Sequence, residues 1–303
     1  MSSFYCDFLG YDIHTGLDLP EESRVGTLRA LPPIALPPLP FDYTALSRQA
    51  IAQSYLEGHY PICVTAAIAR GVGLLTGLNK SGQLIWTDKQ IIDFQTAVTG
   101  RPPNGTILND KASISMALAV WMNYGAPLGS NHKLLGFCVL DGKNTRDCQM
   151  GFWLTGIELL GFDFPTAWVR SLRPGFTWDA DNGPLEGTRD CVLVVGVAPN
   201  GLMVCSHGML GTLTYSALAT NVSRERGGEV YCGLSADIID TVAGKCPANL
   251  TLAELVSLYN QIDGHQPVPA PGPPVPPVPP PVSDVAITIG GVVQPGTYKL
   301  VRA

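Results

Sequence analysis

The chain has 303 residues, a formal charge of −6, and 46% hydrophobic against only 15% charged residues. Such a length and composition support a substantial core in one large domain or two small ones. The acidic balance, without any run of Lys and Arg, argues against a nucleic-acid binder, and the strongest apolar run, residues 191–198, is too short to cross a bilayer.

The first residues, Met1-Ser2-Ser3-Phe4-Tyr5-Cys6-Asp7, show neither the charged nor the apolar region of a secretory signal, so none is expected. Residues 1–43 read as an extended arm. The stretch Leu31-Pro32-Pro33-Ile34-Ala35-Leu36-Pro37-Pro38-Leu39-Pro40 is not helical, because each proline removes a donor and restricts the residue before it. Its alternation of proline with large apolar side chains predicts an arm laid against the core.

Residues 44–265 read as the globular domain. Its first half carries helical signals over residues 43–53, 63–76, 87–98 and 110–123. The third of these opens with a Thr87-x-x-Gln90 capping box, and the fourth shows Ile114, Leu118 and Trp121 at helical spacing. The second half carries strand signals over 134–140 and over 190–206, where Ala198-Pro199-Asn200-Gly201 turns a hairpin. Between them a helix over 145–160 and a strand over 164–169 are expected. A strand over 229–234 and a helix over 251–262 follow. Helices first and strands later predict an α+β domain with segregated layers.

Residues 266–282 hold ten prolines in seventeen positions. In polyproline II, at roughly 3.1 Å per residue, they would form a semi-rigid stalk of about 50 Å. The last segment, residues 283–303, has apolar runs on either side of Gly290-Gly291 and reads as a β-hairpin. An isolated hairpin is marginal in water, so this one is expected to dock onto a protein partner.

Of the eight cysteines (Cys6, Cys63, Cys138, Cys148, Cys191, Cys205, Cys232 and Cys246), none forms a CxxC pair. Buried free thiols are the simplest reading, with one or two disulfides if the protein leaves the cytosol. Cys63 stands apart. It follows Glu57-Gly58-His59-Tyr60-Pro61-Ile62 and opens the small-residue helix Cys63-Val64-Thr65-Ala66-Ala67-Ile68-Ala69. Backbone N–H groups and the helix dipole at such a position favour a thiolate and a developing oxyanion. Trp121, Trp153, Trp168 and Trp178 read as core, and Asp179-Ala180-Asp181-Asn182-Gly183 as an ordinary acidic turn.

The order of these parts resembles the papain-like cysteine peptidases, above all bacterial and phage-encoded members with a proline-rich N-terminal arm. The pieces that carry the resemblance are Leu31-Pro32-Pro33, Cys63-Val64-Thr65-Ala66-Ala67, Asp190-Cys191-Val192-Leu193-Val194-Val195-Gly196-Val197 and Ser206-His207-Gly208, within about residues 30–262. The resemblance implies a papain-like α+β fold, a helical half plus an antiparallel β half. It places Cys63 at the nucleophile position and Glu57 where the family has an oxyanion-stabilising Gln or Asn. It places Asp190 at the catalytic His position, Cys205 near the orienting Asn, and His207 where a Trp shields the site.

Four of these five positions depart from the family pattern. A carboxylate beside a thiol disfavours its ionisation, and a second carboxylate at the oxyanion position opposes the charge that catalysis develops. The expectation is therefore a pseudo-peptidase. It would be an accessory surface protein of a larger assembly, such as a phage decoration or head-fibre protein anchored by residues 283–303, with no cofactor. One alternative is an active peptidase or amidase with Cys63 as nucleophile and His207 or His59 as base. A second is a zinc module at Cys63, Asp190, Cys205 and His207, whose S, O, S and N donors suit that metal.

Overall fold

A helix that is apolar on every side belongs inside a core. In the computed structural model, which describes residues 3–6, 11–14, 37–103, 112–261, 288–289 and 292–293, the helix opened by Cys63 is such an element. After the short helix α1 (Arg48–Ile51), α2 spans Cys63–Leu78, and every residue from Cys63 to Gly77 is buried. Two glycines let α1 and the turn before it approach closely. A Cβ at Gly73 would stand 2.3 Å from Ala50 Cβ, and one at Gly77 would meet Leu46 O at 2.5 Å.

Three further helices complete the helical half and the crossing to the sheet. Helix α3 (Asp88–Thr99) opens with the full capping box of Thr87 and Gln90 and stops at left-handed Gly100. Helix α4 (Ile114–Tyr124) is capped by Ser113. Helix α5 (Thr145–Thr155) is capped by Asn144 and ended by left-handed Gly156.

The strands are β1 (Ser3–Cys6), β2 (Tyr11–His14), β3 (Phe41–Asp42), β4 (Leu134–Leu140), β5 (Glu158–Pro165), β6 (Phe176–Trp178), β7 (Leu185–Ala198), β8 (Gly201–Ser206), β9 (Met209–Thr214) and β10 (Glu229–Ser235). β1 and β2 pair with each other. The rest form one eight-stranded sheet in the order β4-β10-β5-β7-β8-β9-β6, with β3 beside β7. All its pairings are antiparallel except β6 with β9. Helix α2 packs along the long central strand β7; a Cβ at Gly71 would lie 3.5 Å from Leu193 Cδ1. Helices α6 (Thr166–Ser171), α7 (Tyr215–Asn221) and α8 (Leu252–Tyr259) complete the fold.

Three expected elements are corrected. Residues 43–53 are not one helix: a 3-10 turn over Thr44–Leu46 precedes α1, and Asp42 Oδ1 ties down the N–H and hydroxyl of Thr44. The helix expected over 145–160 ends at Thr155, because Gly156 takes the left-handed conformation that terminates helices. The strand then runs over Glu158–Pro165, and Thr166–Ser171 is helical where a strand was expected. Pro165 at the N-cap suits that start, since its missing N–H leaves no donor unsatisfied there.

Trp121, Trp153, Trp168 and Trp178 are buried, and Trp168 stacks on Trp178 at 5.1 Å. The acidic turn at 179–183 satisfies itself, with Asp179 accepting from Ala180 and Thr214 and Asp181 from Gly183. Among the described residues no helix is long and apolar enough to cross a membrane. The chain separates into two units, residues 1–270 and 271–303. In the second, β11 (Thr288–Ile289) pairs antiparallel with β12 (Val292–Val293). The proline stretch at 266–282, most of the arm and the Gly290-Gly291 turn lie outside the described residues.

Candidate active-site cluster around Cys63

Two elements bring the site together. Helix α2 presents Cys63 at its first position, and β7 carries Asp190 alongside. The Cys63 thiol donates to the Asp190 carboxyl. That carboxyl also accepts the Cys191 N–H at 2.8 Å and stands 3.5 Å from Ser206 Oγ. Burial raises the Asp190 pKa, opposed by the nearby His207 imidazole and reinforced by Glu57.

His207 belongs to the turn between β8 and β9. Ser206 and Met209 are paired, leaving His207 and Gly208 as a two-residue loop with φ of 51° and 76°. Positive φ at both central positions is what a type I′ hairpin turn requires, so the backbone of His207 is explained by the turn. The tip is packed inward. A Cβ at Gly208 would lie 2.7 Å from Ala52 O, and His207 is 2% exposed. His207 Nδ1 lies 3.0 Å from Ser206 Oγ. A relay in which Nδ1–H donates to Ser206 and Ser206 donates to Asp190 satisfies these groups and leaves Nε2 buried without a partner.

Glu57 is neither exposed nor alone. Its carboxylate forms a buried ion pair with the Arg70 guanidinium, two turns along α2 from Cys63. Arg70 Nε also donates to Gln53 O at 2.8 Å, and the guanidinium sits over the Tyr55 ring at 5.8 Å. Burial disfavours the Arg70 charge, and Glu57 together with Cys205 and Tyr55 overrides it, raising the Arg70 pKa. The negative charge expected at Glu57 is present but paired: Arg70 offsets it.

Cys205 lies at the same pair. Its thiol points to Ile51 O at 3.4 Å, and burial lifts its pKa to about 11 against the pull of Arg70. Cys191 is also buried, with its pKa raised by burial and by Cys63 and Asp190. Glu57, Cys63, Asp190, Cys205 and His207 are all between 0% and 2% exposed, whereas His59 is exposed.

The structure therefore brings all five sequence-derived residues into one sealed region. It does not assemble them as a metal site. Among the described residues no group of three or more His, Cys, Asp and Glu is placed to hold an ion, which overturns the zinc alternative. The donors are turned to protein partners instead: Cys205 to Ile51, Cys63 to Asp190, and His207 to Ser206. Sequence reasoning missed Arg70 and Ser206. A lone arginine among the small and apolar residues of α2 was the available signal for the first.

No protein-family model matches the chain, and no curated protein matches its sequence. Solved structures do resemble it. Xylellain, a cysteine protease from Xylella fastidiosa, superposes with a TM-score of 0.54 at 15% identity, covering 73% of this chain and 96% of that one. Procathepsin B S9 from Trypanosoma congolense gives 0.51 at 11% identity, covering 73% and 86%. A structure reported for the mite allergens Blo t 1 and Der p 1 gives 0.50 at 13% identity, covering 70% and 75%. The chain has the papain-like α+β fold.

Proposed function

We propose that this chain is a catalytically silent papain-like module. The observation that carries the reading is the contact between Cys63 and Asp190. A papain-type site needs an imidazolium beside the thiol, to stabilise thiolate and then protonate the leaving amine. Here the Cys63 thiol donates to a buried carboxyl whose own ionisation is disfavoured by burial. Two further features support the same reading. Glu57, the residue the resemblance sets at the oxyanion position, is held in a buried pair with Arg70, and the cluster is closed to solvent.

With chemistry absent, the proline stretch and the terminal β segment become the functional parts. The module acts as an accessory surface protein of a larger assembly, such as a phage particle, held by residues 283–303.

The competing reading is a cysteine peptidase with His207 as base, and it rests on the buried, unpartnered His207 Nε2. Site-resolved alkylation separates the two. The native protein is treated with iodoacetamide across a pH series and modification at Cys63 is read by peptide mass spectrometry, with Cys63→Ala as control. Slow reaction rising only above about pH 8.5, or none, is expected. Fast modification persisting below about pH 6 would establish a stabilised thiolate and overturn the silent reading.

A further inference from the structure

Away from the Cys63 cluster, a second pair of thiols faces each other across neighbouring strands. The antiparallel register of β4 and β10 sets Cys138 directly opposite Cys232. Opposed residues in such a ladder have Cα atoms about 4.5–5.5 Å apart, within the roughly 4.4–6.8 Å that a disulfide spans. Opposed side chains also leave the sheet on the same face. Here that face is covered by α5: Thr155 Oγ1 is 3.4 Å from Cys232 Sγ, and a Cβ at Gly151 would be equally close to that sulfur. Both cysteines are free thiols.

The surroundings suit oxidation. Cys232 borders a small pocket of about 20 Å³, lined also by Leu154, Leu234, Leu255 and Tyr259, which is room for a water-sized molecule beside the sulfur. The two thiols are hydrogen-bonded to each other. The bond from Cys138 lowers the Cys232 pKa and raises that of Cys138. On its other side Cys232 is in register with Glu158, whose carboxyl pKa is pushed well above the usual range by burial. Glu158 Oε2 borders the same empty Gly151 position, at 3.5 Å.

We propose that Cys138 and Cys232 are a modification site, at which a small peroxide converts the opposed thiols into a cross-strand disulfide tying the edge strand β4 to β10. The Cys232 sulfur attacks a peroxide oxygen and the O–O bond breaks; the Cys232 proton leaves with the departing hydroxide as water, and Cys232 becomes a sulfenic acid. Cys138 attacks that sulfur; the S–O bond breaks, and the Cys138 proton leaves with the departing hydroxide as the second water. Two thiols lose two electrons and two protons, and one hydrogen peroxide becomes two waters. The link joins the end of the sheet to its neighbour through residues almost a hundred positions apart in the chain.

The test uses the full chain, reduced and then titrated with hydrogen peroxide. After quenching, denaturation and alkylation, it is digested without reduction and mapped by mass spectrometry. The expected product is a Cys138 peptide joined to a Cys232 peptide, two hydrogens lighter than the separate pair and released by dithiothreitol. Alkylation at both positions is lost together, the oxidised chain melts at a higher temperature, and Cys63→Ala changes none of this. Cys138→Ser and Cys232→Ser each abolish the link, with circular dichroism confirming that they fold. The proposal is overturned if both thiols stay fully alkylatable while other cysteines oxidise. It is equally overturned if Cys232 pairs with Cys148, or if Cys232 over-oxidises without linking to Cys138.

Discussion

Folding works against the ionisation of Asp190, and that fixes the sign of its effect on stability. Its carboxyl is fully buried and its folded pKa lies above the ordinary aspartate value. The native state therefore holds this proton more tightly than the unfolded chain, so stability declines as pH rises from the unfolded pKa, about 3.9, through the folded one, and levels off above it. Asp190→Asn keeps an acceptor for the Cys191 N–H and removes the ionisation. Relative to the native protein, the variant should gain stability from about pH 4 up to the folded pKa of Asp190 and no further above it, measured by urea unfolding at each pH. Glu158 contributes a slope of the same sign in both proteins, so the difference between them isolates Asp190. A difference that stays constant with pH would show that Asp190 is not the strained group. At this scale the sequence was a good guide to which residues meet and a poor one to their electrostatics. Glu57 could be placed by its spacing from Cys63, but its partner Arg70 is recognised only once α2 is seen to be buried all round.

Helix α2 shows what determines an element and what must wait for the fold. Its start at Cys63 and its small-residue composition were legible, as were the Thr87 capping box and the hairpin of β7 and β8, because each is written in a few adjacent residues. The break at Gly156 and the helical turn after Pro165 were misread, since local apolar runs do not distinguish a buried helix from a buried strand. The pairing of β6 with β9 and of β10 with both β4 and β5 joins distant segments, and no local pattern announces it.

The glycines of α2 have a job that only packing reveals. Gly73 admits α1, which leads into the loop bearing Glu57. A Cβ there would meet Ala50 Cβ at 2.3 Å and the Leu84 carbonyl at 2.8 Å, whereas one at Gly71 meets the mobile end of Ile157 at 2.9 Å. Gly73→Ala should therefore lose about 1–3 kcal/mol through overpacking. Gly71→Ala should lose less, because a helix-propensity gain of about 1 kcal/mol offsets its milder contact. Denaturant midpoints rank the two variants, and the reverse ranking would contradict the close approach of α1.

At the scale of the molecule, the chain divides in a way that bears directly on function. The unit over residues 1–270 contains the sheet, its helices and the Cys63 cluster, while the described residues of the unit over 271–303 are two two-residue strands that pair with each other. Two strands alone bury too little surface to be stable in water, so the second unit has reason to seek a partner. The papain-like architecture was legible in the order of the Cys63 helix, the Asp190 strand and the Ser206-His207-Gly208 turn, because an order of elements is written along the chain itself. A partner for the terminal segment was not legible, since a short apolar hairpin specifies no particular surface. If the anchor reading is right, removing residues 271–303 leaves the melting temperature of the remaining chain unchanged and abolishes its association with the assembly it is purified from, read by co-sedimentation. Retained co-sedimentation would place the attachment on the papain-like unit. A large fall in melting temperature would instead make the terminal segment part of that unit's core, leaving it no free surface with which to anchor.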